Sequence, residues 1–310
     1  MRKSLIIATL VLATVAGAGA VGLTSGATSI PNRAHGDVTA ASRTTAFDHL
    51  SSGEHWIYLM VDGLQRLFIV EVPTGNPVVD RALVLVYHGA LDTASNTITE
   101  TDLLPEVIAR GDVVVFLQGY EDTWNEGSGS TAARLAHVND VAFTAAVIAR
   151  LRTLVSFDPR RVAAVGFSNG AIMVEDLGCH QAASIDLIVP VEGQLSTAQS
   201  SSCSPARPIS VYEIHQTADP LIPYDGGYFQ TSVGYDTMLS APDSVARWAH
   251  LDGCSRGPVT FTPSSIIKLS EYSKCRGGAF VTLRTITGDK HEWAPDIGQL
   301  VVQQLAKLPT

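Results

Sequence analysis

Basic stretches are missing from this 310-residue chain, in which 21 Lys and Arg face 30 Asp and Glu for a formal net charge of −9. An acidic chain without a cluster of cations is a poor partner for nucleic acid or for an anionic membrane surface, and its charge serves solubility. Cysteine is scarce: Cys179, Cys203, Cys254 and Cys275 are the full set, and they are spaced too widely for a zinc knuckle. His35, His49, His55, His137, His180 and His250 also lack metal-ligand spacing, so neither a metal nor a cofactor is expected. Internal repeats are absent, as is a Pro/Thr-rich linker to a second module. Charged residues are only 16% of the chain and hydrophobic ones 45%, enough for one sizeable core.

The N-terminus has the marks of a targeting segment. Arg2 and Lys3 precede an apolar run from Leu5 to Val15, and Ala16-Gly17-Ala18 and Ala18-Gly19-Ala20 offer small-residue cleavage sites. A signal peptide over residues 1–20 and export from the cell are expected. A retained anchor is the alternative, because Val21 to Ile30 is uncharged, but that stretch is rich in Gly, Ser and Thr and suits a processed end better than a span. No cysteine follows the apolar run, so neither an acyl anchor nor a stable membrane anchor is expected. Residues 21–46 read as a flexible leader and 47–310 as one folded domain, expected to act as a secreted, extracellular monomer. Export favours disulfides, and four cysteines allow three pairings. The pairing that closes the shortest loops is Cys179–Cys203 with Cys254–Cys275.

Strands and helices alternate through that domain. Trp56–Val61, Asp62-Gly63 and Arg66–Val72 form a hairpin pattern. Continuous apolar runs at Ala82–Tyr87, Val113–Leu117, Arg161–Val165, Ile185–Val189 and Ile209–Ile214 suit parallel strands buried on both faces. Helical patterns lie at Asp102–Arg110, Val138–Leu154 and near Ser244–Leu251, and a late strand at Phe280–Ile286 precedes a closing helix at Ile297–Leu308. This alternation predicts an α/β fold with a mostly parallel central sheet and helices on both faces.

Gly166-Phe167-Ser168-Asn169-Gly170 lies between a strand and a helix. In that setting a serine sits on a strained elbow with its hydroxyl exposed above the sheet; as a bare string the motif is weak. A nucleophilic serine needs a base and an acid that orients the base, in the chain order Ser, Asp, His for this type of fold. Asp219 follows the Ile209–Ile214 strand, and His291 follows the Phe280–Ile286 strand. Asp225, before Gly226-Gly227, is the rival acid but reads as turn chemistry. His215 reads as a buried, hydrogen-bonded residue. An oxyanion requires two amide donors, expected at Asn169 and at Ala90 in the turn after Ala82–Tyr87. His88, Trp124 and Trp293 are candidates for the substrate cleft, with His88 shaping that turn and Trp293 equally suited to the core.

The stretches ALVLVYHGA, DVVVFLQG with Trp124, FDPRRV, GFSNGA, HQTADPLIPYDGG and TITGDKHEW resemble the secreted esterase family of polyhydroxybutyrate depolymerases, feruloyl esterases and acetyl xylan esterases. They span about Ala82 to Trp293. The resemblance implies an α/β-hydrolase fold and a serine carboxylesterase acting on polymer-derived esters, with Ser168, Asp219 and His291 as nucleophile, acid and base. Cysteines flanking the elbow helix and the late hairpin are also similar to the family's. This chain departs from the pattern at Ala90, Ala171, Gln216 and Asp289-Lys290, which puts the substrate in doubt more than the mechanism. A non-catalytic surface or carbohydrate-binding relative and a short-chain lipase are the competing readings. The intact Ser–Asp–His set argues against the first, and the lack of a long apolar insertion for a lid against the second.

Overall fold

The computed structural model describes residues 50–75, 80–127, 131–231 and 234–309. The signal peptide and leader expected at 1–46 therefore lie outside the described residues. β1 (Gly53–Val61) and β2 (Leu64–Val72) form the expected hairpin, and Asp62 and Gly63 both take the positive φ that its two-residue turn requires. β3 (Leu83–Tyr87) leads through α1 (Ala94–Glu100) and α2 (Leu103–Ala109) to β4 (Val113–Leu117). α3 (Ala132–Leu135) and α4 (Asp140–Leu151) precede β5 (Val162–Phe167). Asn139 caps α4 by accepting from the Ala142 amide, so this helix starts two residues later than its apolar pattern.

After β5 come α5 (Asn169–His180), β6 (Leu187–Val191), α6 (Thr197–Ser202) and β7 (Ser210–Gln216). A hairpin of β8 (Gly227–Thr231) and β9 (Gly234–Met238), absent from the sequence reading, stands apart from the main sheet. α7 (Ala241–Leu251) is capped by Ser240 and has Pro242 in its first turn, so it begins before Ser244. β10 (Arg256–Phe261), β11 (Ile267–Ser273), β12 (Val281–Ile286) and α8 (Ile297–Leu305) complete the chain.

Ten strands join in the order β1-β2-β4-β3-β5-β6-β7-β12-β11-β10. The six from β4 to β12 run parallel, with antiparallel strands at both edges. Leu83, Leu85 and Tyr87 of β3 enter the apolar layer that also holds α4, α5 and α7, whereas Val84 and Val86 enter the layer under α2 and α8. A strand with a core on each face must be apolar throughout, which explains the unbroken runs.

β6 occupies Leu187–Val191, two residues later than the expected Ile185–Val189, and passes through Pro190. Proline has no N–H to give. Accordingly the pairing with β7 lapses between Ile188 and Val191, while the pairing with β5 continues through Gly166–Pro190. Disulfides join Cys179 to Cys203 and Cys254 to Cys275, the short-loop pairing. No helix among the described residues is long and apolar enough to cross a membrane.

Candidate active site

Because the six central strands are parallel, their C-terminal ends open on one side of the sheet, where ligands bind in such folds. Ser168 stands between β5 and α5 with φ 54° and ψ −118°, a conformation that costs energy for any residue but glycine. The turn closes only because its neighbours lack side chains. A Cβ on Gly166 would lie 2.0 Å from the Gly170 carbonyl oxygen, and one on Gly170 would lie 2.3 Å from that of Tyr87. The Ser168 amide donates to the Val191 carbonyl at 2.9 Å, which pins the elbow to β6.

Asp219 and His291 converge from the loops after β7 and β12. His291 Nδ1 donates to Asp219 Oδ2 at 2.6 Å. Asp219 Oδ1 accepts from the Leu221 and Ile222 amides at 2.7 and 3.0 Å. Burial opposes the Asp219 charge, but the nearby His215 Nε2–H and hydrogen bonds from His291 and Leu221 outweigh it and hold the carboxyl below the usual carboxylate range. Asp225, the rival, is exposed. With Nδ1 carrying the hydrogen, His291 Nε2 keeps a lone pair; it is buried and, among the described residues, makes no hydrogen bond, to Ser168 Oγ or elsewhere. Such contacts are often long before substrate arrives. A buried imidazole oriented by a carboxylate is equipped to take a proton.

Ser168, Asn169 and His291 line one cleft of about 410 Å³, walled by Phe167, Ile172, Leu221, Ile222 and Phe229, with Gly89 to Asp92 at its edge. The Asn169 amide is the first of α5 and has no acceptor within the helix. In the turn after β3, the Leu91 amide is bound to the Asp122 carbonyl and the Asp92 amide to that of Gly89, whereas the Ala90 amide is unpaired among the described residues.

His88 and Trp124 do not line this cleft, contrary to expectation. Trp124 is fully buried, and its Nε1 donates to the His88 carbonyl at 2.9 Å while its amide donates to Asn169 Oδ1 at 2.8 Å. His88 Nδ1 donates to the Gly89 carbonyl at 2.7 Å, and Nε2 accepts from the Gly119 amide at 2.9 Å. Those partners require the neutral ring, and burial lowers its pKa to match. Both side chains brace the turn after β3 from behind. Trp293 is a layer back as well: it stacks on Phe167, whose ring faces the cleft and also meets His291.

Phe167, Leu221, Ile222, Phe229 and Gln230 reach the cleft without having been singled out in the sequence. Phe167 and Leu221 could have been read from their places beside the serine and the acid. Phe229 and Gln230 depend on β8 folding back over the site, for which the sequence offers little beyond Gly226-Gly227. Glu192 was also missed, although a charge that ends an apolar strand just before a glycine was a usable signal.

The chain is 30% identical over 234 residues to feruloyl esterase B of Piromyces equi, a match covering 73% of this chain and 42% of that protein. Among solved structures it is similar to an acetyl xylan esterase from Aspergillus awamori, with TM-score 0.62 and 13% identity, covering 83% of this chain and all of the other. It has the α/β-hydrolase fold and is related to esterases of that superfamily. A cold-adapted esterase from an Arctic intertidal metagenomic library matches at TM-score 0.52 and 17% identity, over 83% of this chain and 94% of the other. The chain spans less than half the length of the curated relatives it matches. No family model matches it.

Proposed function

We propose that this α/β-hydrolase relative is an exported serine carboxylesterase. Ser168 attacks the ester carbonyl as His291 takes its proton, and Asp219 keeps His291 in the tautomer that can do so. The Asn169 and Ala90 amides receive the oxyanion, the alcohol leaves, and water then releases the acyl group from Ser168. The observation that carries this reading is the 2.6 Å Asp219–His291 bond, which leaves Nε2 bare beside a strained serine in one cleft. Two disulfides support export into an oxidising compartment.

The cleft walls are mainly apolar, with the acidic Asp92 and Glu126 also on the lining, and no Lys or Arg stands among the described residues that line it. An uncharged ester with a short or aromatic acyl group fits that chemistry: a feruloyl or acetyl ester on polysaccharide, or a hydroxyalkanoate oligomer. Assays side by side on methyl ferulate, acetylated xylan and hydroxybutyrate oligomers identify the class. In a p-nitrophenyl ester series, activity is expected to fall steeply from butyrate to palmitate. Palmitate equal to butyrate overturns the short-acyl assignment in favour of a lipase.

A further inference from the structure

Glu192 follows β6 in the left-handed region (φ 52°), and its amide donates to the Ile214 carbonyl at 2.9 Å. Its side chain is 1% exposed and accepts from the Gln216 amide at 3.0 and 3.2 Å. One polar atom each of Glu192, His215 and Asp219 lie within 4.8 Å of one another. The donor set does not suit a metal. His215 Nε2 is 3.0 Å from the Ile222 carbonyl, which only accepts, so Nε2 carries hydrogen and has no lone pair for a cation.

What remains is two carboxyls side by side, away from water. Two such groups do not both ionise. Asp219 is committed to the charged form by the Leu221, Ile222 and His291 donors. The proton therefore belongs to Glu192, where burial first and Asp219 second push the pKa up to about 9. His215 Nε2 also faces both groups, 3.5 Å from Glu192 and 3.6 Å from Asp219, with His291 beyond Asp219. Among the described residues, no Lys or Arg pairs with either carboxyl.

We propose that Glu192 is a positioning residue: its neutral carboxyl donates a hydrogen bond to Asp219, fixing the carboxylate that orients His291. This rests on the reading of Ser168, Asp219 and His291 as the catalytic set. As a donor, Glu192 keeps Asp219 anionic and its Oδ2 directed at the imidazole. Once ionised, it changes from a donor to a repelling charge beside Asp219, and catalysis falls.

The test compares wild type, Glu192→Gln and Glu192→Ala on p-nitrophenyl acetate from neutral to alkaline pH. Glutamine keeps an N–H donor and cannot ionise. The wild type is expected to lose kcat/KM around pH 9, and folded Glu192→Gln to retain neutral activity without that loss. Glu192→Ala is expected to lose about tenfold or more in kcat with little change in KM. The same alkaline loss in wild type and Glu192→Gln, no such loss in wild type, or Glu192→Gln as impaired as alanine each overturns the proposal. If the wild type hydrolyses no ester, the functional reading fails separately. The infrared difference between wild type and Glu192→Gln then decides the matter without turnover: because Glu175 and Glu213 also hold protons, a protonated-carboxyl component is expected in that difference at neutral pH, and an ionised-carboxylate component in its place overturns the proposal.

Discussion

Ser168 and Asn169 each depend on atoms outside their own motif. The serine's strained backbone is held by the Val191 carbonyl, and the Asn169 side chain accepts from Trp124, which in turn holds the His88 carbonyl. Asp219→Asn tests the acid. It preserves shape but stabilises the wrong tautomer of His291, and kcat is expected to fall by up to about 10⁴. Asp225→Asn should have no comparable effect, and the reverse pattern would assign the acid to Asp225. The meeting of Asp219 with His291, and of His291 with Ser168 at one cleft, was legible because each residue follows a strand-like run and such loops gather at one end of a parallel sheet. Trp124 was misread because a tryptophan in a polar loop gives no sign of which side of the loop it faces. Glu192 offers only a weak local sign, a charge ending an apolar strand before a glycine, because its meaning comes from the ends of β6 and β7 meeting in space.

At the scale of elements, the buried strands were the most legible feature, because double-sided burial writes a continuous apolar run. β6 is the exception in its bounds: it runs on through Pro190 by a lapse in pairing that only the neighbouring strand reveals. The β8–β9 hairpin was hidden because its Tyr228 and Tyr235 side chains are exposed, so no core pattern marks it. α5, buried on nearly every side, ends at a disulfide to the residue after α6. The closed loop spans 24 residues. Replacing Cys179 and Cys203 together by serine is expected to cost about 3 kcal/mol, measured by urea unfolding. An unchanged midpoint would mean that this bond does not restrain the elbow helix.

For the whole molecule, buried carboxyls dominate the dependence of stability on pH. Burial raises Glu175 to about 8, Glu192 to about 9 and Asp252 to about 7, and Glu213 is raised as well. Between the unfolded value near ~4 and those values, the folded chain holds more protons than the unfolded one, so stability falls as pH rises. Asp219 acts in the opposite sense, but its depressed pKa places that loss below about pH 4. Tm is therefore expected to be higher at about pH 5.5 than at about pH 8.5, and a rise toward alkaline pH would contradict the assignment of these protons. The central claim, that Ser168 is a nucleophile activated by His291, is tested most directly by labelling with a fluorophosphonate and mapping the adduct by mass spectrometry. A single adduct on Ser168 is expected, its formation slowed by about 10³ or more in His291→Ala. Labelling elsewhere with Ser168 unmodified, or a rate indifferent to His291→Ala, would contradict it.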